Sequence, residues 1–152
     1  AINPDTSLPD WSKKFISSLD QIIVMSVVPG KSGQKYIENT HEKTKNLMVN
    51  LKENGFTGYI EADGGVTLDN IGQCFADGAR AFVGGSAIIG QTDVRLVIRE
   101  FRKQVLRTRR KLLIQKANEL GGTELVNKWI DLHVLGKKKD ELTQIATELG
   151  YQ

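Results

Sequence analysis

This chain has little of what disulfide-stapled or metal-stapled proteins are built from. Of its 152 residues, one is cysteine and two are histidine. Cys74 has no intrachain partner, so no internal disulfide can form, which fits a reducing compartment and an expected cytoplasmic setting. His41 falls inside a predicted helix and His133 in the C-terminal part. Neither ends a predicted strand, and both read as surface or partly packed residues. No His or Cys cluster has the spacing of metal ligands. No apolar run approaches the roughly 18 residues that span a bilayer, and no signal-peptide pattern is visible. The chain opens Ala1-Ile2-Asn3-Pro4 without an initiator Met, so a processed or truncated product is expected.

What is present is ordinary in bulk and uneven in placement. The hydrophobic fraction is 39% and the charged fraction 26%, enough for one domain with a real core. Residues 1–92 hold eight basic and ten acidic residues, net −2, whereas residues 93–152 hold thirteen basic and eight acidic, net +5. The basic balance therefore belongs to the C-terminal part. A solvated Lys/Arg-rich helix face accounts for it, and an acidic partner is the sharper alternative. Arg107-Thr108-Arg109-Arg110-Lys111 lacks the interleaved aromatics of a nucleic-acid surface. Asp140 to Gln152 resembles the start of a helix-turn-helix but stops before any recognition helix. Nucleic acid and membrane are not expected partners.

Three runs that read as strands break at once into glycine turns. Ile22 to Val27 precedes Pro29-Gly30-Lys31-Ser32-Gly33-Gln34; Tyr59 to Asp63 precedes Gly64-Gly65; Ala81 to Val83 precedes Gly84-Gly85-Ser86. Ala1-Ile2-Asn3 reads as the end of a further strand. The pattern predicts strands at Gln21–Val27 (buried on both faces), Gly58–Ala62 and Ala81–Val83. Helices are predicted over Asp10–Ser18 (Trp11 and Phe15 on one face), Ile37–Asn54 and from a Thr67 or Asp69 cap to Asp77. A long helix follows from Asp93, with Val94, Val97, Ile98, Phe101 and Val105 in its stripe, which Leu112, Leu113, Ala117 and Leu120 extend, ended by Gly121-Gly122. Two shorter helices, Glu124–Leu135 and Lys138–Leu149, are split by Gly136. Four strands alternating with helices imply parallel pairing, and βα units of this spacing suit part of a (β/α)8 barrel.

A carboxylate at a strand end can cap the following turn and nothing more. At the C-terminal end of a barrel strand it can also move a proton or hold a metal, and Asp63 has that position. Each glycine turn alone is an ordinary βα connection. Together they match the backbone phosphate site of many barrels, with Ser86 adding a hydroxyl and Lys31 a charge. Met25 reads as filler at the barrel mouth.

These segments carry a resemblance. Ala1-Ile2-Asn3-Pro4-Asp5-Thr6, Val24 to Gln34, Glu61 to Val66 and Gly78 to Ile88 resemble, in order and spacing, the ribulose-phosphate 3-epimerase family. The resemblance implies an α/β fold, the C-terminal half of a TIM barrel with parallel strands five to eight, over residues 1–105. A helical extension would occupy residues 106–152. It implies interconversion of ribulose 5-phosphate and xylulose 5-phosphate by two aspartates, or the same chemistry on allulose 6-phosphate. Asp63 would be one of those aspartates and a ligand of a divalent metal, commonly zinc. Met25, Gly30, Lys31, Ser32, Gly33, Gly64, Gly65, Gly85 and Ser86 would contact the sugar phosphate. The family's loop usually reads Asn-Pro-Gly-Phe-Gly-Gly-Gln, whereas here Val28, Lys31 and Ser32 replace a polar residue, an aromatic and a glycine. The second aspartate and the metal-binding histidines belong to strands not found in this chain. An isolated half barrel would be inactive and would pair with a second copy or with its missing half.

Overall fold

In the computed structural model, the structure describes residues 1–119 and residue 122. Contacts divide the chain into two units, residues 1–108 and 109–152. The first unit is built on a parallel three-stranded sheet in the order β1 (Gln21–Met25), β2 (Tyr59–Asp63), β3 (Ala79–Val83). The predicted fourth strand is a single parallel bridge, Ile2 to Val24. Ile2 N–H donates to Ile23 O at 2.8 Å and Met25 N–H to Ile2 O at 2.9 Å. The Pro4 and Pro9 that follow carry the chain away from the sheet edge into a 3₁₀ helix, Asp10–Ser18.

Helix α1 (Asn39–Glu53) makes the crossover from β1 to β2, and α2 (Ile71–Ala76) the crossover from β2 to β3. Apolar Leu47 and Leu51 lie four residues apart and so share one helical face, which both bury. Gly55, at φ 76°, ends α1, and Phe56 N–H closes back on Leu51 O at 3.0 Å. Neither expected cap of α2 works through its side chain. Asn70 Oδ1 accepts from Thr67 N–H at 2.8 Å and Asn70 Nδ2 donates to Gly65 O at 3.0 Å, which folds the turn before the helix. Lys43 extends from α1 to the N-terminal loop and donates to the carbonyls of Asn3, Pro4 (3.3 Å) and Thr6 (2.5 Å).

β1 was expected to be buried on both faces; its burial alternates instead. Ile22, Val24, Ile60 and Ala62 point into the core beneath the helices, with Leu51, Val66, Ile71 and Phe101. Gln21, Ile23, Met25, Glu61 and Asp63 face the other way and are only half buried, and Tyr59 is exposed. The helices of the first unit cover one side of the sheet, so the period-two pleat gives each strand one dry and one wetter face. The Asp10–Ser18 helix forms where it is expected, as a 3₁₀ helix. Trp11 and Phe15 do share a face, as an edge-on ring pair 6.4 Å apart, but that face is exposed, and Ser12 and Ile16 point inward.

β3 carries an irregularity. Ile60 pairs with Ala79 and Glu61 with Ala81, so Arg80 is one residue more than β2 can match. Its guanidinium donates to Phe75 O at 3.0 Å and Ala79 O at 2.8 Å, lying 4.3 Å from the Phe75 ring centroid. A π turn, Gly85–Ile89, leads on toward α3 (Val94–Glu119). Asp93 caps α3 as expected, accepting from Leu96 N–H at 2.9 Å.

In the second unit the described residues are the end of α3, where Leu113 and Ala117 are buried, and Gly122, whose N–H returns to Ala117 O at 2.9 Å. The expected helices Glu124–Leu135 and Lys138–Leu149, Gly136, His133 and the Asp140–Gln152 segment lie outside the described residues. Among the described residues no helix is long and apolar enough to cross a membrane.

Leu51 is fully buried, whereas Val49 is exposed on the same helix. Leu51→Ala should cost about 2–5 kcal/mol in urea unfolding, and Val49→Ala should stay within about 0.5 kcal/mol. Equal losses would show that the helix-covered face is not the core. Burial pushes the Cys74 thiol from its ordinary 9.0 up to about 11. The folded chain then holds a proton that the unfolded chain loses, so stability should fall as pH rises from about 9 to about 11. Cys74→Ala should flatten that part of a pH series of melting curves; an unchanged slope would refute the assignment.

Candidate functional site

Parallel pairing brings the C-terminal ends of the strands to one rim. Met25 is the register partner of Asp63, and Asp63 that of Val83. The predicted carboxylate and methionine are therefore neighbours, both half buried at the sheet's end. Among the described residues the Asp63 carboxylate has no hydrogen bond or ion pair, which leaves its oxygens open to a ligand. Its backbone is held firmly. Ser26, fully buried just past β1, donates its N–H to Asp63 O at 2.7 Å. The Ser26 hydroxyl lies 2.6 Å from Gly64 O and 3.0 Å from Asp63 O, so one proton is shared between two carbonyls. Ser26 O in turn accepts from Ile37 N–H at 2.9 Å. One small residue thus ties together the β1 end, the β2 turn and the far side of the glycine loop.

The strand-to-helix connections line a pocket of about 700 Å³, which neither Asp63 nor Met25 lines. It brings together four of the expected contact residues, Gly33, Gly65, Gly85 and Ser86. These come from three different strand-to-helix connections, and their shared feature is backbone without bulk. Gly65 shows why. It sits at φ 63°, and a Cβ there would lie 2.4 Å from the backbone nitrogen of Tyr36. Only glycine lets the β2 turn and the long loop come that close. Gly64 follows Asp63 directly and does not line the pocket. Gly30, Lys31 and Ser32 also stand outside it, exposed at the tip of the loop. Gln34 braces that loop by donating to Val28 O at 2.6 Å and Lys31 O at 2.8 Å.

His41, expected only as a surface or partly packed residue, also lines the pocket. His41 Nδ1 lies 2.6 Å from Asp77 Oδ2. Asp77 is buried, and its other oxygen accepts from Gln73 Nε2 at 2.7 Å. A carboxylate only accepts, so Nδ1 carries the proton of this bond. The Tyr36 ring stacks on the imidazole with centroids 4.6 Å apart. Burial and the nearby Cys74 push the Tyr36 phenol well above its usual range, so it stays neutral. Neither Ser26 nor His41 is among the expected contact residues. Ser26 had a faint signal, a lone hydroxyl in an apolar run ahead of a glycine loop. His41 and Asp77 had none, because they are 36 residues apart.

A divalent metal needs converging donors. Among the described residues no group of three or more His, Cys, Asp or Glu side chains could hold one, and zinc takes at least three protein ligands. Asp63 alone does not make that site, so the described residues do not by themselves fit the implied metal.

The ribulose-phosphate 3 epimerase family model matches residues 1–89. The chain is 42% identical over 103 residues to the ribulose-phosphate 3-epimerase of Escherichia coli strain K12, covering 68% of this chain and 45% of that one. It is 41% identical over 93 residues to the Serratia marcescens protein of the same name, 61% of this chain and 44% of that one. A third of that name, from Methanocaldococcus jannaschii, is 32% identical over 117 residues, 77% and 50% of the two chains. The chain thus spans about half the length of the curated relatives it matches. With a parallel βα sheet, glycine turns gathered at one rim and a match over most of the first unit, this chain belongs to the ribulose-phosphate 3 epimerase family.

Proposed function

We propose that this chain supplies the phosphate-holding half and one of the two catalytic carboxylates of a ketose-phosphate 3-epimerase. The observation that carries the reading is the placement of Asp63 at a strand end, two residues before Gly65, which lines a pocket with Gly33, Gly85 and Ser86. In this reading residues 1–105 are the C-terminal half of a (β/α)8 barrel, strands five to eight, and residues 106–152 are an added helical segment.

The substrate is ribulose 5-phosphate or xylulose 5-phosphate. Its phosphate lies against the three glycine connections, where backbone N–H groups can donate without side chains in the way. Ser86 adds its hydroxyl. The exposed tip residues Gly30, Lys31 and Ser32 reach the phosphate when the loop folds over it, and Lys31 then contributes charge where the family carries an aromatic. Met25 forms an apolar wall beside Asp63 and keeps water from the reacting carbon. Asp63 takes the C3 proton on one face to give an enediolate. A second carboxylate, outside this chain, returns a proton on the opposite face. Ser26 keeps Asp63 in place by holding its carbonyl and that of Gly64. The same machinery fits allulose 6-phosphate, whose C3 centre is equivalent, and the altered loop Val28 to Gln34 is where the two would be told apart.

A two-base exchange cannot run on one carboxylate, so the chain alone is inactive. The half-buried sheet face of Ile23, Met25 and Glu61, with exposed Tyr59 and Val83, favours completion by another half barrel. That half is a second copy or the N-terminal strands of a family enzyme. Xylulose 5-phosphate formation should be undetectable with the purified 152-residue chain, with or without added zinc, and should appear when the N-terminal half of a family enzyme is co-expressed. Turnover by the chain alone would overturn the claim. In the complemented enzyme, Asp63→Asn should lower kcat by at least about a hundredfold with phosphate affinity retained; full activity in that variant would remove Asp63 from the mechanism. Sedimentation that shows a monomer at every concentration would exclude a second copy as the completing half.

A further inference from the structure

We infer that His41, pinned by Asp77, is a positioning residue for the phosphate-binding loop, acting through the ring of Tyr36. The inference rests on the phosphate-site reading above and adds to it a group that no motif of the site contains. Residues 26–38 form no regular structure, so no helix or strand ladder holds them. Their first half is braced by Gln34, and their second by Ile37 N–H to Ser26 O and by the carbonyls of Ile37 and Glu38, which accept from Thr40 N–H and His41 N–H. Between these tethers lie Gly33, Lys35 and Tyr36, which form a wall of the pocket. The Tyr36 ring, which packs against the core, adds a restraint from a side chain. It stacks on His41, with the two planes 28° apart.

His41 can act as a fixed surface because it is itself held. It stands in the first turn of α1, and its Nδ1–H bonds to a carboxylate at the C-terminal end of α2. That carboxylate is buried and is steadied from its other oxygen by Gln73. The chain of contacts therefore runs from α2 through Asp77 and His41 to Tyr36. Tyr36 in turn packs its backbone against Gly65, the second glycine connection of the pocket. A site that binds an anion through backbone N–H groups gains affinity when those groups are ordered beforehand. The stack orders Gly33 and Gly65 relative to each other, although neither His41 nor Asp77 needs to touch the phosphate.

Three variants of the 152-residue chain test this by titration with inorganic phosphate and by the amide resonances of Gly33 and Gly65. His41→Ala, which removes both stack and bond, should weaken phosphate binding about tenfold, the scale of one lost ordering contact, and should move both amide resonances before phosphate is added. Asp77→Asn should shift the same resonances in the same direction by less. His41→Phe keeps a ring for Tyr36 and should recover most of the affinity. A merely structural histidine would lower the melting temperature in His41→Ala and His41→Phe alike without this split. Wild-type affinity and unmoved Gly33 and Gly65 resonances in a folded His41→Ala would overturn the inference. If the unmutated chain takes no phosphate at all, the phosphate-site reading fails, and the resonance shifts alone still decide whether His41 positions the loop.

Discussion

Much of the rim depends on one buried hydroxyl. Ser26 is wholly enclosed, and its three polar groups all find partners on other segments: the N–H on Asp63 O, the hydroxyl on Gly64 O and Asp63 O, the carbonyl on Ile37 N–H. A buried polar group without partners carries a desolvation penalty of about 1–3 kcal/mol. The arrangement is therefore self-enforcing, because moving any one segment leaves a polar group stranded. Through it the strand end that bears Asp63, the turn that bears Gly65 and the loop that bears Gly33 share one frame.

The sheet's two faces divide structure from proposed chemistry. On the helix-covered side, Val24, Ile60 and Leu51 are fully buried and hold the unit together. On the other side, Gln21 and Glu61 are joined by a 2.7 Å hydrogen bond, and the Asp63 carboxylate lies open. Under the half-barrel reading, the wetter face is a surface awaiting its counterpart. The pocket, by contrast, is assembled from connections within the chain itself.

Particular residues show how far reading the chain could go. The βα rhythm was legible because each strand is short and leads into a glycine-bearing turn, and β2 and α1 lie within two residues of their expected bounds. Gly55 and Asp93 were legible as helix signals because their action is local. The one-sided burial of β1 was not, since a continuous apolar run looks the same whether one or both faces are covered. The shared face of Trp11 and Phe15 was legible from their spacing, but its turn toward solvent was not, because helical spacing does not give direction.

By itself, then, the sequence determined the order of elements, the parallel pairing and the family, because periodicity, turn chemistry and motif order act over short spans. Tertiary structure alone decided which glycines share a pocket, that Ser26 binds the β2 turn, and that His41 meets Asp77 beneath Tyr36. Those contacts join residues tens of positions apart, and their partners are selected by packing and by the need to satisfy buried polar groups, neither of which leaves a local trace.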